Sequence, residues 1–138
     1  MQEGFLTIRT AVDQVESRFS CKAEMELTSL SALLCYTEEN ASVSIRVQEK
    51  EVLIERQGDY SMRLCLREDV RTVGTLSIGG NEGVLEVSTQ CIDYAITENS
   101  LLLRLDYTLH FGNESQSMAL RMKATAYGNK VADFEEEE

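Results

Sequence analysis

The sequence predicts an all-β protein built as a single antiparallel meander β-barrel of about 8–10 strands. Apolar and polar residues alternate along nearly the whole chain, which is the period-two pattern of strands that bury one face. The intervening segments, such as RQGDY and SIGGNEG, are short and rich in turn-forming residues, as antiparallel hairpins require. A chain of 138 residues is also the size of one domain.

The predicted strands follow one another from residue 6 onward, and each presents apolar residues at every second position. The last two are joined by a Gly-Asn turn, and each has one wholly apolar face. The shared faces are Leu6, Ile8, Thr10 and Val12; Phe19, Cys21, Ala23, Met25 and Leu27; Val43, Ile45 and Val47; Val52 and Ile54; Tyr60, Met62, Leu64 and Leu66; Thr72, Gly74, Leu76 and Ile78; a segment from Gly83 to Thr97; Leu101 to Phe111 at odd positions; and Met118, Leu120, Met122 and Ala124.

Residues 22–34 fit two structures. Ala23, Leu27, Leu30 and Leu34 recur at helical spacing, and the Ala, Glu, Met and Leu content favours a helix on propensity. Period-two alternation continues through the first half of the same stretch and favours a strand. We predict a strand and keep a helix as the alternative.

The segment from Gly83 to Thr97 changes register midway. Leu85, Val87 and Cys91 point to one face, whereas Ile92 and its alternating neighbours point to the other. One extra residue in a strand reverses the direction of every following side chain. The pattern therefore predicts a β-bulge near Cys91.

Charge and composition limit the classes of partner. The chain has 13 basic and 24 acidic residues, a net charge of -11, which argues against nucleic acid and against anionic membrane surfaces. The longest mainly apolar run, LSALLCY at 30–36, is far shorter than a membrane span, so we expect a cytoplasmic protein. We assign residues 1–130 to the barrel domain and residues 131–138 to an acidic disordered tail.

Residues for catalysis or metal binding are scarce. The four cysteines have neither metal-site nor disulfide-scaffold spacing, and one histidine, His110, excludes a two-histidine metal site within the chain. Cys65 lies between Arg63 and Arg67 on one strand face. Either the two guanidinium groups stabilise a reactive Cys65 thiolate or, as we favour, all three are ordinary surface residues of the strand. We predict no catalytic residue, no metal and no cofactor, and an enzyme is the less favoured class.

The sequence predicts a ligand site at one end of the apolar strand faces, next to a turn. Arg56 shares its face with Val52 and Ile54 beside a turn, so its guanidinium could hold a carboxylate, with the Tyr107 hydroxyl as a further donor. In the alternative, Arg56 reaches solvent or pairs with an acid, and Tyr107 is an ordinary core aromatic. The candidate ligand residues are Arg56, Tyr107, Tyr36, Met118, Met122 and Leu105, with Met25 and Met62 as further adaptable lining.

The strand order resembles a known family. The segments EVLIERQGDYSMRLCL, RTVGTLSIGG, GVLEVSTQ and LLLRLDYTL are similar to the YwiB-like family of uncharacterised bacterial proteins, over about Phe5 to Ala126. The resemblance implies a calycin-like, lipocalin-type barrel in a bacterial cytoplasm, and it implies no activity.

Two functions follow from a barrel of this kind. The first is non-enzymatic binding of a small, mainly apolar ligand, anionic if Arg56 holds it, by a monomer or homodimer. The second is a filled barrel whose outer surface or edge strand contacts a protein partner or a second copy of the chain.

Overall fold

Ten antiparallel strands follow one another around the barrel, and the first pairs with the last to close it. The structure, a computed structural model, describes residues 1–127, so the acidic tail predicted over residues 131–138 lies outside the described residues. The strands are β1 Gln2–Val12, β2 Val15–Leu27, β3 Ser31–Glu38, β4 Ala41–Gln48, β5 Glu51–Gln57, β6 Tyr60–Arg67, β7 Arg71–Ile78, β8 Asn81–Ile96, β9 Ser100–Phe111 and β10 Glu114–Ala126. The predicted antiparallel meander barrel is confirmed, at ten strands.

Alternation places one face of every strand inside the barrel. Leu105 on β9 lies directly opposite Leu120 on β10 and Ile92 on β8, and all three side chains are buried. Neighbouring inward residues on adjacent strands pack in the same way around the ring. The predicted apolar faces therefore form one continuous core, except at the mouth end, where Ile78 and Phe111 are exposed.

Residues 22–34 form a strand, a turn and the start of a second strand, so the helical alternative is wrong. β2 runs to Leu27 and β3 begins at Ser31. The Thr28 hydroxyl accepts hydrogen bonds from the backbone N–H groups of Leu30 and Ser31, at 3.1 and 2.9 Å, and fixes the turn. Pairing with both neighbouring strands overrides the helical propensity of this segment.

The predicted β-bulge is confirmed, because the register of β8 against β9 shifts between Thr89 and Cys91. Val87 before the bulge and Ile92 after it both face the core. Cys91, expected on the face of Val87, instead lies opposite Asp106 on the outer face, because the extra residue precedes it. The Ile92 N–H, freed by the irregularity, donates to the Glu68 carboxylate at 2.7 Å.

The two ends of the barrel differ. We call the end formed by the hairpins β1–β2, β3–β4, β5–β6, β7–β8 and β9–β10 the mouth end, and the opposite end the closed end. At the closed end Met25 is fully buried, and the Tyr94 hydroxyl on β8 accepts a 2.9 Å hydrogen bond from the backbone of Lys50 in the β4–β5 turn. This contact links opposite sides of the closed end.

The four cysteines are free and half-buried, which agrees with the absence of a disulfide-scaffold spacing. Within residues 1–127 there is no helix long and apolar enough to cross a membrane.

Candidate functional site at the mouth end

Arg56 faces inward at the mouth end. On β5 it lies opposite Val43 on β4 and Met62 on β6. Val43 is part of the core and Met62 packs against it, so strand parity directs Arg56 to the same side. Its side chain is only 11% exposed. A guanidinium with little solvent exposure at the end of an apolar core is a candidate anchor for an anion.

The Arg56 guanidinium is held by its own hairpin. Nη1 donates to the Asp59 carboxylate at 3.0 Å and to the Tyr60 carbonyl at 2.9 Å, and the guanidinium carbon lies 3.8 Å from the centre of the Tyr60 ring. The hydrogen bond from Arg56 lowers the pKa of Asp59 below its usual value. Arg56 thus pairs with an acid, as the alternative predicted, while its side chain stays directed inward.

Tyr36 and Phe19 lie where two strands separate. β2 and β3 pair only between Glu24–Leu27 and Ala32–Cys35, so they diverge toward the mouth end. The rings of Phe19 and Tyr36 stand 6.1 Å apart across this gap. Burial raises the pKa of Tyr36, and the neighbouring negative charge of Glu38 raises it further. Both rings are half-buried and pack against the core at the edge where β2 and β3 separate.

Tyr107 and Met118 form the next part of the site. They lie directly opposite each other on β9 and β10; Tyr107 is buried and Met118 is half-buried. Leu105 and Met122 also face inward, but they lie deeper and are buried in the core. The structure therefore brings Arg56, Tyr36 and Met118 to the mouth end, beside Tyr107, and places Leu105 and Met122 in the packed interior.

We call Phe19, Tyr36, Arg56, Met62 and Met118 the mouth cluster. All five belong to strands that meet at the mouth end, and their side chains are partly exposed or, for Arg56, almost buried. Phe19 was not among the ligand residues predicted from sequence, although its parity with Cys21 placed it on the apolar face. Tyr60 was also missed as the stacking partner of Arg56, because a cation–π contact depends on side-chain conformation.

The ionisation of Tyr107 makes stability depend on pH in the alkaline range. Burial raises its pKa to about 12, whereas an unfolded tyrosine ionises near 10. The neutral hydroxyl therefore favours the folded state, and this contribution is lost as the pH rises from about 10 to 12. We expect the free energy of unfolding to fall by about 2 kcal/mol more over this range in the wild type than in Tyr107→Phe, measured by urea denaturation. Parallel pH profiles for the two proteins would contradict it.

Outside the mouth cluster, two side-chain contacts on the outer face involve a thiol and an imidazole, which are groups used in catalysis. The Cys65 thiol donates to the Glu51 carboxylate at 3.4 Å, and its pKa is raised by burial first and then by Glu51, against the opposing effect of Arg67 and Arg63. A raised pKa disfavours the thiolate, which agrees with the interpretation of Cys65 as a surface residue of the strand. The Ser88 hydroxyl lies 2.9 Å from His110 Nε2, a cross-strand contact that sequence spacing did not indicate. Residues 1–127 contain no group of three or more His, Cys, Asp or Glu side chains able to hold a metal ion.

The fold defines the class of protein: a closed ten-stranded antiparallel barrel with a packed apolar core and half-buried apolar side chains at its mouth end. Residues 6–122 match the family described as Domain of unknown function (DUF1934), and the chain belongs to this family. The crystal structure of the YwiB protein from Bacillus subtilis is similar, with a TM-score of 0.80 and 19% identity over 91% of this chain and 92% of that one. At that identity the similarity shows the fold alone. No curated protein matches the chain.

Proposed function

We propose that this barrel binds a small, mainly apolar molecule with an anionic head group at its mouth end. The observation that carries the proposal is the position of Arg56, a nearly buried cation among half-buried apolar side chains. Charged side chains that are mostly buried are usually paired, and Arg56 has such a partner in Asp59. Because the Asp59 side chain is itself exposed, a ligand anion can compete with it for the guanidinium. A monocarboxylate such as a medium-chain fatty acid has the required chemistry, with one charge and one apolar chain.

The mouth cluster supplies the apolar surface. Phe19, Met62 and Met118 contact the core on one side and remain partly accessible on the other. Methionine side chains adapt to ligands of different shape because they are unbranched and flexible. The edge at which β2 and β3 stop pairing adds the Phe19–Tyr36 ring pair to this apolar surface.

The Arg56 guanidinium can bind a ligand carboxylate if it releases its present partner, the Asp59 carboxylate. Its carboxylate partner, Asp59, has a side chain that is 79% exposed, so water can solvate Asp59 once it is released. A ligand carboxylate can then accept the Arg56 hydrogen bond in a less exposed position, where such bonds are stronger. The Tyr60 ring holds the guanidinium in place during this exchange.

The proposal predicts that stabilisation by carboxylates depends on Arg56 and on chain length. We expect thermal unfolding midpoints to rise with hexanoate, octanoate and decanoate in that order, because each buried methylene adds about 0.8 kcal/mol. Arg56→Gln should weaken decanoate binding about tenfold or more, since hydrogen bonds to charged groups contribute about 1.5–3 kcal/mol.

Arg67→Gln is the matched control. Arg67 lies on the neighbouring strand β6 near the closed end, opposite Glu51 on the outer face, and its removal changes the net charge by the same amount. Its decanoate affinity should stay within about twofold of the wild type. Equal losses in both variants, or no midpoint shift with any carboxylate, would contradict the proposal.

A second candidate function, contact with a protein partner or a second copy, is favoured by one surface. Val73 and Val84 on the outer face of β7 and β8 are exposed, and Val84 is 75% exposed. Ile78 and Phe111 are exposed nearby and line a groove of about 340 Å³ with Val84. Contiguous apolar patches of this kind often mark interfaces. Sedimentation at rising concentration tests it: self-association supports the second copy, and a monomer throughout removes it.

A further inference from the structure

Four arginines stand in one row across four adjacent strands. Arg9 on β1 lies directly opposite Arg18 on β2 and Arg121 on β10, and Arg121 lies opposite Arg104 on β9. All four are on the outer face and at least partly exposed. Adjacent strands are about 4.8 Å apart, so the row spans about 14 Å. We call these residues the arginine row.

The row is electrostatically unfavourable in the absence of an anion. Like charges directly opposite each other destabilise a sheet. Asp106 partly offsets the charge at one end, with an oxygen 3.1 Å from Arg121 Nη2 and the other 3.8 Å from Arg104 Nε. Among residues 1–127, no carboxylate forms an ion pair with Arg9 or Arg18. The other end of the row therefore carries uncompensated positive charge.

The row lines a groove of about 630 Å³ on the outer surface of β8, β9, β10, β1 and β2. Lys123 adds a fifth cation to its lining and Asp93 an acid, so five of the thirteen basic residues of the chain are in one groove. This volume is within the range of small-molecule sites. The net charge of -11 describes the average surface and conceals this local cationic groove.

Hydrogen bonds hold the Arg121 guanidinium in place, and three exposed cations surround it. Its Nη1 donates to the carbonyls of Leu105 and Leu120, at 3.1 and 2.9 Å, while Nη2 holds Asp106. Arg9, Arg18 and Lys123 are exposed around this fixed guanidinium. Three available cations match the roughly three negative charges of two linked phosphate groups at neutral pH.

We propose that the arginine row binds a small soluble ligand that carries two linked phosphate groups. The planar forks of neighbouring arginines fit phosphate oxygens, and two phosphates offer more acceptors than one phosphate or one carboxylate can. A long polyanion is disfavoured, because it would extend beyond the groove over the surface of an acidic protein. The exposed Leu102 in the groove lining gives the organic part of such a ligand an apolar contact.

The test is calorimetric titration of the full chain with inorganic pyrophosphate in magnesium-free buffer. We expect saturable binding at one site and binding of orthophosphate at least tenfold weaker. Arg9→Gln should weaken pyrophosphate binding at least tenfold. Without ligand, that variant should unfold at the same or a higher temperature, because the substitution removes like-charge repulsion. Arg18→Gln on the neighbouring strand is a second variant with the same expected loss.

Arg46→Gln is the matched control, since Arg46 lies on the outer face of β4 between Leu33 and Leu53, away from the arginine row. Its affinity for pyrophosphate should stay within about twofold of the wild type. No heat with pyrophosphate, equal losses in Arg9→Gln and Arg46→Gln, or tighter binding of a single-stranded oligonucleotide than of pyrophosphate would each overturn the proposal. Because the groove lies outside the barrel, Arg56→Gln should leave pyrophosphate binding unchanged, which separates this site from the mouth.

Discussion

Leu105→Ala should lower the free energy of unfolding by about 3–4 kcal/mol. Leu105 is fully buried and lies opposite Leu120 and Ile92, so its removal leaves a cavity that these neighbours cannot fill without moving backbone. Urea denaturation followed by far-ultraviolet circular dichroism measures this loss, since the chain has no tryptophan for fluorescence. The size of this loss in the free energy of unfolding shows whether the inward face of β9 is packed core at Leu105.

Leu102→Ala provides the control on the same strand. Leu102 faces outward and is 53% exposed, so its truncation should cost less than about 1 kcal/mol. If Leu105→Ala were equally mild, Leu105 would line an open cavity in the ligand-free protein, and the packed interior described above would be wrong.

Gly4→Ala should destabilise the protein by about 2–3 kcal/mol. A Cβ at Gly4 would clash with the Thr125 carbonyl oxygen and would stand 2.6 Å from the end of the Met25 side chain. The first of these atoms belongs to the backbone of β10, so relief requires movement of the strand pair that closes the barrel. The loss is measured in the same urea experiment.

Gly83→Ala is the corresponding control, because a Cβ at Gly83 meets no atom within 4 Å. On β8 it should be neutral or slightly stabilising, since alanine restricts the unfolded chain more than glycine does. A Gly4→Ala protein as stable as Gly83→Ala would show that β1 and β10 are not held in the described register.

Much of the fold was predictable because strand alternation is a local property of the sequence. The inward positions of Leu6, Val87 and Leu105 follow from period two, and the bulge follows from one break in that period. The exact position of the bulge could not be predicted, because the alternation alone allows the extra residue to lie on either side of Thr89 and Cys91. Only the pairing of β8 with β9 decides the position. The helical spacing within residues 22–34 could not be resolved locally, since pairing with β1 and β3 decides it.

The candidate sites were also predictable only in part, because strand alternation gives the face of each residue but not its contacts. Parity alone placed Arg56 on the inner face, but its partners Asp59 and Tyr60 depend on side-chain conformation in the hairpin. Phe19 joins Tyr36 only because β2 and β3 diverge. The arginine row requires the register of four strands, including the pairing of β1 with β10, which brings together residues more than a hundred positions apart. No spacing rule within one segment reports such long-range pairing.

The most direct test of ligand binding at the mouth end is a titration of the protein, labelled at its methionine methyl groups, with decanoate, followed by nuclear magnetic resonance. The chain carries five methionines: Met62 and Met118 at the mouth, Met25 at the closed end, Met122 in the packed interior, and Met1. Binding at the mouth predicts saturable shifts of Met62 and Met118, none at Met25, and loss of these shifts in Arg56→Gln. Unchanged Met62 and Met118 signals at saturating decanoate, or equal shifts in Arg56→Gln, would contradict the proposed function.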